Sequence, residues 1–139
     1  MERAYAEVNL GKFRDNLKKV RRFIGHSVRV MAVVKADAYG HGAIQIATVC
    51  EKEKVDYLGV AWIAEAEILR DCGIRLPILV LSEPAWENAF EKIVNLGLTQ
   101  TIYTDHFASL LNRVAEKFSR FVKVHVKVDT GMGRIGVRP

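Results

Sequence analysis

Lys35 is the residue of this sequence whose type and position most clearly indicate chemistry. It follows an apolar, β-branched run over residues 28–34 and precedes a turn that carries a tyrosine and two glycines, Ala36-Asp37-Ala38-Tyr39-Gly40-His41-Gly42. Such a run is typical of a buried strand. Burial disfavours the ammonium form of lysine, and an amine without its proton can attack a carbonyl carbon and form a Schiff base. We therefore predict a reactive lysine at the end of a buried strand.

A second stretch that could do chemistry covers residues 123–134. It ends in a glycine-rich turn that leads to Arg134. Its side chains alternate in character, and one strand face would carry the polar set while the other carries valines: Lys123, His125, Lys127 and Asp129 against Val124, Val126 and Val128. Polar side chains on the inner face of an α/β core need partners, and the ordinary arrangement is a layer of ion pairs. We expect Asp129 to be a structural hydrogen-bond acceptor rather than a catalytic acid.

The elements that would position these residues follow from the hydrophobic pattern. Apolar runs predict five strands, over residues 28–35, 57–61, 77–81, 99–103 and 121–128. Apolar residues at helical spacing predict four helices between them, and Trp86 would face inward on the third. Strands that alternate with helices indicate parallel βα units, and this pattern fits either an open doubly wound sheet or a closed barrel.

Several local features are also predicted. A weak alternation over residues 5–10 predicts a short strand, followed by a helix that ends at Gly25 and whose apolar face carries Phe13, Leu17, Val20 and Ile24. Ser82 and Thr104 are predicted to cap the helices that follow them. His41 is expected to shape the turn after Lys35 rather than to bind a ligand.

Both chemical stretches resemble motifs of one enzyme family. Val33-Val34-Lys35-Ala36-Asp37-Ala38-Tyr39-Gly40-His41-Gly42 resembles the pyridoxal-phosphate attachment segment of the alanine racemases, and Lys127-Val128-Asp129-Thr130-Gly131-Met132-Gly133-Arg134 resembles their second motif. The resemblance implies a TIM-type (β/α)8 barrel, and it decides for the barrel where periodicity left the choice open. The expected fold class is α/β, a partial barrel of about five parallel strands with four intervening helices.

The resemblance also implies a function and roles for individual residues. The family interconverts L- and D-alanine, which supplies D-alanine for cell-wall peptidoglycan. Lys35 would carry pyridoxal 5′-phosphate and act as a catalytic base, and Tyr39 would reach the cofactor phosphate. Arg134 would bind the substrate carboxylate, which its planar guanidinium suits better than an ammonium group does. Lys127 matches a position that many of these enzymes carbamylate and where others hold a chloride ion, and the sequence leaves both open.

The length of the chain limits what it can do by itself. Its 139 residues supply five of the eight strands of such a barrel, so we expect residues 1–139 to be the N-terminal portion, without the remaining barrel and the C-terminal β-domain of the family. An open sheet would leave two unpaired edges and an apolar face in water. The resemblance implies a homodimer for the full-length enzyme, whose partner subunit supplies a second catalytic tyrosine. We expect the chain alone to bind the cofactor weakly and to racemise little or not at all.

Composition narrows the remaining classes. Half of the residues are hydrophobic, which favours a globular domain over disorder. The net charge is +5, but the one dense basic cluster, residues 18–22, has no interleaved aromatic residues, so we expect no nucleic-acid partner. Residues 1–7 lack the apolar segment of a signal peptide and no run is long enough to span a membrane, so a cytoplasmic protein is expected. Cys50 and Cys72 show no metal-ligand spacing, and we expect no metal site and two small core side chains.

Three alternatives stay open. Single-domain pyridoxal-phosphate homeostasis barrels and basic amino-acid decarboxylases share a lysine at a strand end, but they lack the continuation over residues 36–42. A racemase of another amino acid, such as serine, has nearly the same N-terminal motifs. A non-catalytic cofactor-binding barrel or an isolated folding module would keep the core pattern without the activity.

Overall fold

The computed structural model describes residues 4–84 and 88–139. Five strands lie in this part of the chain: β1 (Met31–Val33), β2 (Tyr57–Val60), β3 (Ile78–Val80), β4 (Thr99–Ile102) and β5 (Val124–Val126). They confirm the five predicted strands, although each is shorter than the apolar run that predicts it. The predicted inward position of Trp86 lies outside the described residues.

The helices fill the segments between and before the strands. They are α1 (Leu10–Ile24), α2 (Lys35–Gly40), α3 (Ala43–Lys52), α4 (Ile63–Asp71), α5 (Asn88–Asn95) and α6 (Asp105–Lys117). The segment α2 is a single left-handed turn. The four right-handed helices from α3 to α6 connect successive strands, and they confirm the predicted number of intervening helices. Within the described ranges, every helix is too short or too polar to cross a lipid bilayer.

The strand order identifies the sheet type. The five strands lie in the order β1-β2-β3-β4-β5, and each neighbouring pair is parallel. A doubly wound sheet reverses its strand order at a switch point, whereas a (β/α) barrel adds each strand beside the previous one. Each helix from α3 to α5 also contacts the next helix in sequence. The described sheet is therefore an arc of a (β/α) barrel, as expected from the family resemblance.

The core lies between the sheet and the helices. Leu58 and Val60 of β2 pair in register with Ile78 and Val80 of β3, and all four are at most 1% exposed. They pack with inward side chains of the helices, such as Leu69. Burying each side chain of this size stabilises the fold by about 1.5–3 kcal/mol. The other face of the sheet, which carries Tyr57, Gly59, Leu79 and Thr99, is the concave inner face.

The predicted strand over residues 5–10 is wrong. Residues 4–9 form no regular element, and α1 begins at Leu10 because the Asn9 side chain caps it, its Oδ1 accepting a hydrogen bond from the Lys12 amide at 2.9 Å. A capping side chain of this kind competes with extended pairing. The helix ends before Gly25, as predicted. Phe13 and Leu17 pack against the core, but Val20 is 48% exposed, so the predicted apolar face is only partly buried.

Three smaller predictions have mixed outcomes. Thr104 caps α6 through a hydrogen bond from the Phe107 amide at 3.2 Å, as predicted. The Ser82 hydroxyl donates a hydrogen bond to the Ala61 carbonyl, and the helix start that Ser82 is predicted to cap includes residues 85–87, which lie outside the described residues. Cys50 is fully buried in the core, and burial raises the pKa of its thiol to about 11. Cys72 is exposed, contrary to prediction, because it lies at the end of α4 beyond the last inward position.

Candidate active site

The backbone after β1 turns with left-handed geometry. Four consecutive residues, Ala36, Asp37, Ala38 and Tyr39, have φ angles of 50–55°. None of them is glycine, and each L-residue in this conformation costs roughly 1–2 kcal/mol. Such strained backbone persists only where the surrounding structure fixes it, and it is concentrated at functional sites. The turn directly follows Lys35, the predicted reactive lysine.

Groups within the segment hold part of this strained turn. The Asp37 carboxylate accepts a hydrogen bond from the Ala43 amide at the start of α3, at 2.7 Å. The Nδ1 atom of His41 lies 3.0 Å from the Ala38 carbonyl oxygen and 3.2 Å from that of Tyr39. Because both neighbours are acceptors, Nδ1 must carry the proton. The prediction that His41 shapes the turn is confirmed.

Glu65, which sequence reasoning missed, holds the turn from outside. Its Oε1 accepts a hydrogen bond from the Ala36 amide at 2.7 Å. Its Oε2 accepts from the amides of Ala61, at 2.7 Å, and Trp62, at 3.3 Å, where the chain leaves β2 and enters α4. The available signal was its position as the third residue of α4, where a glutamate commonly bonds to the backbone at the helix start. The contact with Ala36, 29 positions away, has no sequence signal.

Lys35 and Tyr39 lie together on this turn. The Lys35 side chain is half-buried rather than buried as predicted, because β1 is the outermost strand on its side of the sheet. Its Nζ lies 5.9 Å from the centre of the Tyr39 ring, within the range of a cation–π contact. The Tyr39 side chain is 60% exposed. The lysine amine is therefore reachable from solvent at the end of its strand.

Arg134 is carried by a loop that is closed at its base. The Val137 amide donates to the Lys127 carbonyl at 2.9 Å, and the Asp129 amide donates to the Val137 carbonyl at 2.8 Å. The base is tight at Gly136, where φ is 128° and an added Cβ would lie 2.7 Å from the Asp129 nitrogen. The Arg134 side chain is exposed at the surface of this loop.

The loop is also organised from within by Asp129. One oxygen of its carboxylate accepts hydrogen bonds from the amides of Gly131 and Gly133, both at 3.0 Å. The bonds from Gly133 and then Gly131 hold the pKa of Asp129 below its ordinary value. The prediction that Asp129 is a structural acceptor is confirmed.

The inner face beside β5 differs from the predicted layer of ion pairs. Lys123, His125 and Lys127 are exposed, and none of them forms an ion pair with another described residue. The His125 ring instead lies 6.1 Å from the ring of Tyr57, whose hydroxyl is 3.4 Å from that of Thr99. The described contacts of these residues are thus an aromatic pair and a contact between two hydroxyl groups rather than ion pairs.

The two chemical stretches share one edge of the sheet. Lys35 follows β1 and Arg134 follows β5, and the carboxyl ends of parallel strands lie on the same side. Lys35 and Arg134 are therefore not on opposite ends of the sheet, although they follow its two outermost strands. In (β/α) barrels, the carboxyl edge is where active sites are built.

Sequential parallel strands, with a strained lysine turn at their carboxyl edge, identify the chain as an arc of a (β/α) barrel that carries a candidate site. Comparison with known families makes the assignment specific. The family described as "Alanine racemase, N-terminal domain" matches residues 8–139. The chain belongs to the alanine racemase family, as its motifs predict.

Individual relatives agree with this assignment. The chain is 41% identical over 135 residues to an alanine racemase of Methanococcus maripaludis. This match covers 97% of this chain and 36% of the relative. It is 44% identical over 130 residues to alanine racemase 1 of Caldanaerobacter subterraneus subsp. tengcongensis, covering 94% of this chain and 33% of that protein. The chain thus spans about a third of the length of the curated relatives it matches.

Solved structures show the same fold. An alanine racemase of Clostridium difficile 630 superposes with a TM-score of 0.89 at 43% identity, over 93% of this chain and 34% of that chain. The alanine racemase of Bacillus anthracis with bound L-Ala-P superposes with a TM-score of 0.86 at 31% identity, over 99% of this chain and 36% of that chain.

Proposed function

We propose that this chain forms the cofactor-attachment part of an amino-acid racemase that uses pyridoxal 5′-phosphate to interconvert L- and D-alanine. The observation that carries the proposal is the placement of Lys35 and Arg134 at the same carboxyl edge of the sheet, in a chain of the alanine racemase family. The curated relatives are named alanine racemases, which supports alanine as the substrate.

The residues of the turn fit the cofactor by their chemistry. Pyridoxal 5′-phosphate, when bound, supplies an aldehyde for a lysine amine and an electron sink for the bonds at the substrate Cα. Lys35 offers a primary amine that is half-buried at the site yet reachable from solvent. The Tyr39 ring lies beside this amine, and its hydroxyl can donate a hydrogen bond to a phosphate oxygen.

Lys35 and Arg134 take distinct parts in the proposed reaction. The Lys35 amine holds the cofactor and, once free, removes or returns a proton at one face of the substrate Cα, which is general acid–base catalysis. The Arg134 guanidinium, exposed on its closed loop, pairs with the substrate carboxylate in a bidentate way. The two hydrogen bonds at the base of the loop hold together the two ends of the segment that carries Arg134.

Lys127 is proposed as a site of carbamylation. Its neutral amine would form an N–C bond to carbon dioxide and release a proton to solvent, so that a cation becomes an anion able to pair with Arg134. The exposure of the Lys127 side chain, without an ion-pair partner among the described residues, supports this role. A chloride ion beside Arg134 is the alternative occupant.

The proposal extends to the setting of the protein. We propose a cytoplasmic location, which the unpaired thiol of Cys50 in the core supports, because buried free thiols persist in reducing compartments. For the full-length enzyme we propose a homodimer. Nucleic acid and membrane are not among the proposed partners.

Covalent capture tests the cofactor site. The chain is incubated with pyridoxal 5′-phosphate, reduced with borohydride, digested and analysed by mass spectrometry. We expect Lys35 to be the principal labelled lysine and Lys35→Ala to remove that label, while Lys12→Ala, a change on the exposed side of α1, leaves it intact. Labelling spread evenly over exposed lysines would contradict the proposal.

A chimera tests the reaction. Residues 8–139 replace the corresponding segment of the Clostridium difficile alanine racemase, to which this chain is 43% identical. We expect the chimera to interconvert L- and D-alanine and to lose this activity with Lys35→Ala. A folded, cofactor-loaded chimera that racemises serine faster than alanine would reassign the substrate.

A further inference from the structure

The lysine turn depends on one side chain from elsewhere in the fold. Among the described residues, the backbone of residues 35–41 forms side-chain hydrogen bonds with its own segment and with a single outside residue, Glu65, which accepts from the Ala36 amide. The contact is made to the Ala36 amide, the peptide group that directly follows Lys35. A change in that bond therefore directly affects the backbone next to Lys35.

Glu65 also joins two strand exits with one carboxylate. One oxygen bonds to the backbone after β1 and the other to the backbone after β2. Its partners are all backbone amides, and no described lysine or arginine forms an ion pair with it. Hydrogen bonds to an ionised acceptor are roughly twice as strong as neutral ones. The carboxylate thus fixes the relative position of the two loops.

The same connection continues to the third strand. The Ala61 amide donates to Glu65, and the Ala61 carbonyl accepts a hydrogen bond from the Ser82 hydroxyl after β3. The exits of three neighbouring strands are therefore joined at the carboxyl edge. The left-handed turn at Lys35 is at one end of this chain of bonds.

We propose that Glu65 is the positioning residue for Lys35, an inference that rests on the proposed cofactor attachment at that lysine. Without its bond to Glu65, the Ala36 amide loses the contact that fixes it, and the strained turn can relax toward ordinary backbone geometry. The orientation of the Lys35 side chain then changes, and its amine is no longer held at the carboxyl edge of the sheet. Glu65 acts through the backbone and touches neither cofactor nor substrate.

Variants at Glu65 test this role in the chain itself. Glu65→Ala removes the acceptor, and Glu65→Gln keeps the length but replaces one oxygen with an NH2 group that cannot accept. Glu67→Ala is the matched control, because it removes a carboxylate from the same helix whose partner is Lys92 rather than the turn. The first measurement is hydrogen exchange of the Ala36 amide by NMR. The second is the fraction of Lys35 captured by pyridoxal 5′-phosphate and borohydride, with capture at Lys19, exposed on α1, as the internal reference.

We expect Glu65→Ala to speed exchange at Ala36 by about tenfold or more, the effect of losing one charged hydrogen bond, and to lower capture at Lys35 by a similar factor. Capture at Lys19 and hydrogen exchange of the β2 and β3 amides stay unchanged, whereas a general loss of structure would speed exchange of those core amides. For Glu65→Gln, we expect exchange at Ala36 and capture at Lys35 to lie between the values of Glu65→Ala and of the parent chain. Glu67→Ala should give the values of the parent chain in both measurements. If Glu65→Ala fails to fold, Glu65→Gln carries the test.

The two proposals fail in different ways. If the unchanged chain shows no selective capture at Lys35, the cofactor proposal fails, and exchange at Ala36 still decides whether Glu65 holds the turn. If the unchanged chain is captured at Lys35 and the folded Glu65 variants match it in both measurements, the role of Glu65 is overturned.

Discussion

The Nζ atom of Lys35 lies 5.9 Å from the centre of the Tyr39 ring. The two residues are four positions apart, and in a helical turn of either hand this spacing places side chains on the same face. The left-handed turn thereby brings together the two side chains that the sequence predicts at the cofactor. Because the ring contacts the amine while the hydroxyl is proposed to contact phosphate, substitutions at Tyr39 can separate the two contributions.

Tyr39→Phe keeps the ring and removes the hydroxyl. We expect it to weaken the binding of pyridoxal 5′-phosphate by about tenfold, the loss of one hydrogen bond to a charged group. Tyr39→Leu also removes the cation–π contact and should weaken binding by roughly a further twofold to fivefold. Absorbance titration of the chain with the cofactor measures both. If Tyr39→Phe binds as well as the parent chain, the hydroxyl has no contact with the phosphate.

A second prediction concerns the loop that carries Arg134, which contains two glycines with nearly equal φ angles. Gly136 and Gly131 have φ angles of 128° and 130°, but an added Cβ meets the Asp129 nitrogen at 2.7 Å in the first case and nothing within 4 Å in the second. Both alanine variants carry backbone strain, and only Gly136→Ala adds a clash with backbone. We expect it to cost about 1–3 kcal/mol more than Gly131→Ala.

Thermal unfolding of the two glycine variants measures this difference. Hydrogen exchange at the Asp129 and Val137 amides shows where it arises, since these amides close the base of the loop. We expect exchange to be faster at both amides in Gly136→Ala than in Gly131→Ala. Equal stability of the two variants would show that the base of the loop yields to a Cβ at no cost.

The sequence predicts the sheet well because its signals are local. Apolar runs separated by helical stripes specify parallel βα units, and the alternation around His125 correctly places it on the face opposite Val124. The lysine at a strand end is visible for the same reason. Each of these features depends on the period of a short segment and not on a distant partner.

The features that the sequence does not reveal depend on tertiary contacts. The residues Ala36-Asp37-Ala38-Tyr39 contain no glycine, so their left-handed geometry has no local signal. Glu65 stabilises that geometry from another helix. Alternation fixes which face a side chain occupies but not its partners, so it does not reveal that the polar face of β5 forms no ion pairs among the described residues. Departures from local preference are most frequent at functional sites, which is where this turn lies.

The hydrogen bonds that Asp129 accepts lead to a prediction about how the loop depends on pH. Backbone amides hold its pKa below the ordinary value of 3.8, so the carboxylate stabilises the loop at every pH above 3.8, and this contribution is lost as the pH falls through the lower folded-state pKa. We expect the amide chemical shifts of Gly131 and Gly133 to titrate together with a midpoint below 3.8. The variant Asp129→Asn should abolish the titration. A midpoint at or above 3.8 would show that the two amides do not bond to the carboxylate in solution.

The hydrogen bonds of Arg70, at the amino edge of the sheet, lead to a prediction about stability. Its guanidinium donates three hydrogen bonds to backbone carbonyls that precede β3 and β4, those of Leu96, Ile74 and Leu76, at 2.7–3.1 Å. Partial burial of the guanidinium lowers its pKa. We expect Arg70→Ala to lower the free energy of unfolding by about 2 kcal/mol, because three carbonyls lose their donor at once.

Two further variants separate this effect from loss of charge. Arg70→Lys keeps the charge but not the planar fork, and we expect it to recover less than half of the roughly 2 kcal/mol loss. Arg75→Ala removes an exposed arginine nearby and should change stability by less than about 0.5 kcal/mol. Urea denaturation gives these values, with an unchanged slope showing that the same surface is exposed on unfolding. If Arg70→Ala and Arg75→Ala lower the free energy of unfolding equally, water replaces the guanidinium at the three carbonyls without loss of stability. Arg70 then has no special role in stabilising the segments that precede β3 and β4.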